Sequence, residues 1–566
     1  MFTRFDDDET CELLDGDAIH PFALASKLHN EDFPSYKEIL RMSQSEREKW
    51  MDSMDEELGA LFDGGTFEFV RRSDVEKQGE DIVKTTWAFR KKRKPSGEVY
   101  RYKSRLCVRG DLQKGDYDLN ETFAPVVEWS TIRMLMSLSV IGDWATASID
   151  FKNAFAQATL PKPIYLELPP GYAKVNPQHK DFVMKIKKSL YGDRRAANLW
   201  YRKLRASLES AALGFKVSDI DPCLFIRDDC IMVLYVDDAV LFARDEANLQ
   251  RVLDGLKGLD YDFSRDGSFS SYLGIQLEHL PSGNVKLTQP GLKKACLDVM
   301  GLSDCNPVDT PITTPLFKHE DSPPFDEAFN YRSALGMLQY IGNNTHPECA
   351  YAINSCARYC VNPRQPHGQA LKRIGRYLKG CINDGLVISS SGSLALDCHC
   401  DADFAGNYHK DDNQDPATLR SHTGFVITFG SIPVLWKSKV QTEIALSTME
   451  AEYIALSTAM RSLIHLRALL FEIDQGFKLG FGSRMSTIST VFEDNRACQI
   501  LATTDPPRLT PRSKSLAVKY HWFRSHLSPD TIVVKSVSTD NQKGDGFTKP
   551  LPGPKFRPFR RSICGW

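Results

Sequence analysis

The chain has 566 residues, a formal net charge of −2, 42% apolar and 25% charged residues. At roughly 150 residues per domain this allows three to five domains or subdomains of an ordinary globular kind. It excludes a chain that is basic throughout, so any surface for nucleic acid must be a local one. The N-terminus, "MFTRFDDDETCELLDGD", is acidic and lacks an apolar signal region, so secretion is not expected. No apolar segment is expected to reach the ~18 residues of a membrane span. The fourteen cysteines include no Cys-x-x-Cys pair. The closest cluster, Cys398 and Cys400 around a histidine, is poorly spaced for zinc, which leaves reduced thiols inside a cell.

In chain order, residues 1–34 read as a weakly ordered acidic leader. "SEREKWMDSMDEELGALF" is a helix, with Trp50, Met54, Leu58 and Leu61 at helical spacing. A basic hairpin follows, "TTWAFRKKRKPSGEVYRYKSRLCVRG", turning at Pro95–Gly97. Between Lys84 and Lys114 there are eleven Lys or Arg against Glu98 and Asp111. That block is a candidate phosphate-contacting surface, and a solvated charged hairpin is its plain alternative.

Residues 130–142 read as a helix, and "ATASIDFKNAF" as a strand ending at Asp150 and passing into another helix. "PIYLELPPGY" is a short strand stopped by Pro-Pro-Gly, and residues 193–213 are helical. "MVLYVDDAVLFA" then places Asp237 and Asp238 between two apolar runs, as a hairpin. Adjacent carboxylates in such a setting are costly unless a cation neutralises them, and a solvated hairpin tip is the other reading. A carboxylate at a strand end beside an acidic hairpin suits two-metal phosphoryl transfer, with ions about 3.5–4 Å apart. Alternate strand residues face opposite ways, so Asp150 and Asp237 are expected as main ligands and Asp238 as a weaker one.

Residues 290–300 and 330–380 read as helices, and the Pro-rich stretch 306–325 as a linker. From Leu386 the pattern turns β-rich, then α/β. "LALDCHCDAD", "TGFVITFG" and "IPVLWKSK" are strands, 446–473 a long helix, "STVFEDNRA" strand then helix, and "TIVVKSVST" a last strand.

The motifs "ETFAPVVEWSTIRMLMSLS", "IDFKNAFAQATL", "IYLELPPGY", "KKSLYG", "DPCLFI", "LYVDD", "YLGIQL", "YRSALGMLQYI", "RYLKG", "LSTMEAEYIALS", "EDN" and "FTKPLP" occur in this order. Together they resemble the polymerase part of copia-type retrotransposon polyproteins, from about residue 36 to the C-terminus. The resemblance implies an α+β multidomain fold, a right-hand polymerase followed by a ribonuclease H-like α/β domain. Its expected divisions are the leader 1–34, fingers and palm 35–290, thumb or connection helices 291–385, ribonuclease H 386–552 and a basic tail 553–566.

The same resemblance implies reverse transcription on RNA and DNA templates, with ribonuclease H activity on the hybrid. Asp150, Asp237 and Asp238 are then the polymerase metal set, and Asp401, Glu452, Asp494 and Asp545 the nuclease set. Mg2+ is the expected ion, with Mn2+ a substitute. Glu450 competes with Glu452 in "MEAEY", and the spacing to "IAL" favours Glu452. Asp403 and Glu493 are read as bystanders. His521 or His526 is a candidate for product release, with a packed or surface histidine as the plain alternative. Lys103 and Arg105 share one strand face and are assigned to the incoming triphosphate. Phe155 is assigned to the sugar, with a core aromatic on an amphipathic helix as the plain alternative, Tyr191 to the template–nucleotide pair, with an ordinary packed tyrosine as the alternative, and Tyr272 and Gly274 to the primer terminus.

Partners implied are an RNA template, an RNA–DNA hybrid, a primer (a host tRNA) and deoxynucleoside triphosphates, with no membrane. The expected location is intracellular, a cytoplasmic virus-like particle and later the nucleus. No Asp-Ser/Thr-Gly protease motif or zinc-binding integrase pattern occurs, so upstream protease and integrase parts are expected outside this chain. One departure stands out. After "SLYG" the family usually runs Leu, Lys, Gln, Ala, Pro, Arg, whereas this chain has Asp193, Arg194, Arg195, Ala196, Ala197 and Asn198. The loss of Gln and Pro bears on the loop's geometry. It also keeps open a catalytically impaired remnant that only binds nucleic acid, or a nuclease with a scaffolding polymerase domain.

Overall fold

The computed structural model describes residues 32–93, 99–115, 117–265, 270–326, 328–389, 394–408, 416–482, 485–504 and 518–566. The leader 1–34, save its last three residues, and the Pro95–Gly97 turn lie outside the described residues. Most elements lie within a few residues of the positions expected from sequence.

The unbroken apolar run around Asp237 has a packing cause. Strands Cys230–Tyr235 and Asp238–Ala243 lie in the middle of a six-stranded antiparallel sheet. Its order is Phe263–Arg265, Ala145–Phe151, Asp238–Ala243, Cys230–Tyr235, Leu224–Ile226, Lys216–Val217. Met232, Leu234, Ala239 and Leu241 face a core with helices Ala196–Leu208 and Glu246–Gly258. Ile231, Val233, Val240 and Phe242 face the opposite core with helix Trp129–Gly142. Strands covered on both faces carry continuous apolar runs rather than alternating ones.

The basic hairpin, Thr85–Arg93 with Val99–Val108, lies against helix Gln44–Asp63. Trp50, Met54 and Leu61 meet Phe89 and Leu106 there, in a core separate from the two above. Ser43 caps that helix by accepting from Glu46 N. Beside it, Phe67–Arg71, Phe182–Lys188, Thr159–Leu166 and Ile82–Val83 form a four-stranded sheet.

Helices Pro290–Val299, Tyr331–Asn344, Ala350–Ala357 and Gln365–Gly380 follow. Strand Gly385–Ile388, expected from sequence to open the second domain, pairs with Val285–Thr288 instead. The division therefore falls after Ile388, since its ladder bonds are made to the earlier sheet. The stretch 306–325 is not a free linker: Ile312 and Leu316 are buried in the main core.

The second domain is a five-stranded sheet, ordered Ile432–Val440, His422–Phe429, Leu396–Asp403, Ser489–Glu493, Ile532–Ser536. The first three strands are antiparallel and the last two parallel to the middle one. Helices Thr448–Phe477 and Arg496–Thr503 complete the parallel crossovers. The 30-residue helix is long and apolar enough to cross a membrane, which corrects the expectation that no segment would be. More than half of its most apolar window is buried, against the sheet and the palm-side elements. Residues 553–566, expected as a basic tail, are a correction too. Gly553–Cys564 is a helix whose Phe556, Phe559 and Ile563 are buried at helical spacing, with Arg557 and Arg561 exposed. The α+β class is present as expected, with several sheets and helical layers followed by a separate five-stranded domain.

Candidate catalytic sites

Register places Asp150 directly opposite Asp238, and the hairpin turn carries Asp237 beside them. The turn is held in a conformation that a β-branched residue rarely takes: Val236 has φ 57°. Two hydrogen bonds impose it. Trp200 Nε1 donates to Val236 O (2.6 Å), and Phe151 N donates to Asp237 O (2.9 Å). Burial, then the charges of Asp237 and Asp150, push the Asp238 carboxyl up to about 7. Asp150 is raised by burial and by Asp237, while Lys103, Lys92 and Arg105 pull it down. Asp237 is thus the leading carboxylate neighbour of both. Among the described residues this trio is not drawn together as tightly as Asp401, Glu452 and Asp494 in the second domain.

Lys103 and Arg105 lie on one face of the hairpin, where Arg90 pairs in register with Lys103. Burial and the neighbouring Arg105 and Lys92 lower Lys103 to about 8, and Asp150 opposes that shift. The Arg105 guanidinium stacks on the Tyr191 ring (4.5 Å), and Phe155 meets the same ring edge-on (4.8 Å). Lys103, Arg105, Tyr191 and Phe155 therefore gather near Asp150 and Asp237. Tyr272 is buried, with burial and then Asp238 raising its hydroxyl pKa. Leu273 and Gly274 form its turn at φ 48° and 80°, braced by the Tyr340 hydroxyl donating to Leu273 O (2.7 Å).

The departing loop is tied down by bonds of its own. Asp193 is buried and accepts from Gln113 Nε2 (3.3 Å) and Arg195 N (3.2 Å). Arg194 donates to Gly110 O (2.7 Å), and Asn198 reaches Asn120 O (3.2 Å). Gly110 and Gly192 must both be glycine, because a Cβ on Gly110 would sit 2.1 Å from Gly192 O and one on Gly192 2.2 Å from Val108 O. Sequence reasoning missed Gln113, which no motif marks.

In the second domain, Asp401 lies near the end of Leu396–Asp403, Glu452 in the second turn of the long helix and Asp494 just beyond Ser489–Glu493. Each offers an oxygen, all within 4.8 Å of one another. Burial and mutual repulsion raise both Asp401 and Glu452 far above ordinary carboxylates. Asp545 pairs with Lys549 (2.8 Å), and Thr548 donates to Asp401 (2.5 Å). Gly544 permits this approach, since a Cβ there would lie 2.6 Å from that of Asp401. Thr548 and Lys549 lie within the motif "FTKPLP", yet the sequence alone assigns them no role.

Glu450 is spent on capping, accepting from Leu446 N (2.9 Å), which leaves Glu452 for the cluster. Glu493 is fully buried and accepts from Asn495 N (2.9 Å), and Asp403 stands near Lys549. His521 Nδ1 meets the Tyr453 hydroxyl (2.9 Å), a packed position, whereas His526 is exposed. In a second close set, His346, Glu348 and Cys349, the imidazole and the carboxylate are already engaged by hydrogen bonds. His346 Nε2 lies 3.0 Å from Lys293 Nζ, and its Nδ1 2.7 Å from Glu348.

The Asp401, Glu452 and Asp494 cluster fits a hard dication. All its donors are oxygens, and Glu452 Oε2 is buried with no hydrogen-bond partner. What repulsion raises, a bound cation would lower.

Residues 67–314 match the family described as "Reverse transcriptase (RNA-dependent DNA polymerase)". The chain is 30% identical over 524 residues to the retrovirus-related Pol polyprotein from transposon RE2 of Arabidopsis thaliana, covering 91% of this chain and 34% of that one. It is 31% identical over 535 residues to the corresponding polyprotein from transposon TNT 1-94 of Nicotiana tabacum, covering 92% and 38%. The chain thus spans about a third of the length of these curated relatives. A foamy viral protease–reverse transcriptase in complex with double-stranded DNA is similar in structure at TM-score 0.43 and 13% identity, over 87% of this chain and 70% of that one. The likeness to copia-type Pol polyproteins read from the motifs is borne out by the sequence matches.

Proposed function

We propose that this chain, reverse transcriptase-like over residues 67–314, is an RNA- and DNA-directed DNA polymerase whose second domain hydrolyses the RNA of RNA–DNA hybrids. The observation that supports it most is the presence of two separate carboxylate sets, in which burial and neighbouring carboxylates raise Asp150 and Asp238 in the first and Asp401 and Glu452 in the second. Extension of a primer on an RNA template, with and without Mg2+, tests it. No extension by folded protein would favour the nuclease or the nucleic-acid-binding remnant.

Asp150 and Asp237 would hold Mg2+ in the first site with Asp238 at its edge, and Asp401, Glu452, Asp494 and Asp545 in the second. Mg2+, when bound, acidifies the attacking hydroxyl or water and stabilises charge on the phosphoryl group. Lys103 and Arg105 bind the triphosphate, Arg as a planar fork and Lys as a point charge. Tyr191, stacked beneath Arg105, keeps that fork oriented. Tyr272 and its turn position the primer end. A host tRNA as primer, and assembly in a cytoplasmic particle with later nuclear entry, extend this reading.

Lys103→Ala or Arg105→Ala should raise the deoxynucleotide KM about tenfold or more, since a charge-assisted bond is worth roughly 1.5–3 kcal/mol. Weaker template binding with unchanged nucleotide KM would move these residues to the nucleic-acid track. Because Lys103 loses its proton at about 8, the nucleotide KM should rise as pH climbs through that value. Lys103→Arg should flatten the rise, and an identical profile would remove Lys103 from the triphosphate site.

Phe155 packs on both Tyr191 and the palm core, so its ring is held rigidly. Under the sugar it would leave no room for a 2′-hydroxyl. Phe155→Ala should raise ribonucleotide use relative to deoxynucleotide use at least tenfold, about 1.4 kcal/mol of discrimination. Single-nucleotide extension measures the ratio, and a change within threefold returns Phe155 to the core.

A further inference from the structure

A cavity of about 520 Å³ opens between the polymerase half and the second domain, and neither carboxylate set is among its described lining residues. Its walls carry Arg133, Arg358, Arg420, Lys437, Lys439 and Arg461, and Glu128 is the one carboxylate among its described lining residues. Arg133 is spent on structure: it stacks on Trp436 (4.2 Å) and donates to Val434 O and Asn343 O (both 2.8 Å). The Trp436 indole in turn donates to Gly342 O (3.0 Å), so these two side chains join the halves. Arg358 donates to Asn407 Oδ1 (2.6 Å), while Arg420, Lys439 and Arg461 keep one space cationic, and that charge favours an anion there.

The wall leads toward the nuclease carboxylates. Gln441 Nε2 donates to the carbonyl of Ala451 (2.9 Å), the residue next to Glu452. Asp403 lies opposite His422, and His422 opposite Val440, so Gln441 and Thr442 are at the carboxylate end of the sheet. Ser130, on helix Trp129–Gly142, also lines the cavity. Hydroxyls and amides of Ser130, Asn354, Thr442 and Ser462 supply the neutral donors that phosphates also use. Trp436 is covered by Arg133 and offers no platform for base stacking.

We propose that this cavity is a sequence-independent track for the sugar–phosphate backbone of one single strand continuing past the hybrid at the nuclease carboxylates, an assignment that rests on the nuclease reading above. The space is too small for two paired strands, and contacts confined to phosphates carry no base information.

The test uses the full chain in EDTA, so that binding is read without turnover. The probes are a labelled blunt hybrid and the same hybrid with a single-stranded RNA extension. Lys439→Ala with Arg461→Ala should weaken binding of the extended probe about tenfold or more. The blunt probe should stay within twofold, and the salt slope for the extended probe should fall by about 0.7 for each phosphate no longer neutralised. Lys439→Arg with Arg461→Lys should bind as the wild type does, which with matched melting curves separates charge from folding. Equal losses on both probes, or none on either, would overturn the track. Competition by poly-glutamate as strong as by an oligonucleotide of equal charge would overturn it too, pointing to an acidic protein partner. Failure of the nuclease reading shows separately, as absent cleavage in Mg2+ with the binding difference kept.

Discussion

Asp237→Asn is expected to lower primer extension about a thousandfold or more while hybrid cleavage stays within twofold, a barrier increase of roughly 4 kcal/mol at about 1.4 per decade. The replacement keeps the size of the side chain and the backbone carbonyl that accepts from Phe151. It removes one negative charge from the point between Asp150 and Asp238, where cation affinity is concentrated. Removing that charge also lowers the carboxyl of Asp238, which Asp237 raises next after burial. The variant should therefore fold at least as well as the wild type, and loss of extension cannot be blamed on unfolding. Primer extension and hybrid cleavage on one preparation measure both arms. Extension near the wild-type rate would remove Asp237 from the metal set. Loss of both activities together would mean that the halves are mechanically coupled, as the Arg133–Trp436 junction could make them.

Much of this site was readable because motif chemistry and local geometry agree. An acidic pair inside a doubly apolar run is expensive without a cation, and register then delivers Asp150 to Asp238. Glu450 and Glu452 are separated by a cap that spacing alone cannot show: one carboxylate reaches back to Leu446 N, the other points into the cluster. Other features were illegible for physical reasons. Strand Gly385–Ile388 looks like the start of a new domain, yet strand pairing is a long-range choice and Val285–Thr288 is its partner. The C-terminal segment reads as basic because arginines dominate its composition, while Phe556, Phe559 and Ile563 decide its packing. The cationic cavity is assembled from residues spread between Arg133 and Arg461, which no window of sequence brings together.

Glu452→Gln should cost hybrid cleavage about a thousandfold or more, leave first-strand synthesis intact, and also change stability in a direction that activity cannot report. Glu452 sits buried among Asp401, Glu493 and Asp494, so its folded-state pKa is raised above the unfolded value. Between those two values the unfolded chain holds fewer protons than the folded one, and stability falls as pH rises. Without metal, the wild type should thus lose melting temperature on going from pH 5 toward 8, and Glu452→Gln should lose less. Mg2+ reverses the sign for the wild type, because a ligand that binds only the folded state adds stability by mass action. The amide keeps the shape but offers a weaker donor, so the Mg2+-dependent gain in melting temperature should shrink or vanish. Melting curves at two pH values, each with EDTA and with Mg2+, give four numbers per protein. If Mg2+ stabilises wild type and variant equally, Glu452 is not a ligand, and its unpaired oxygen must serve the packing of the helix instead.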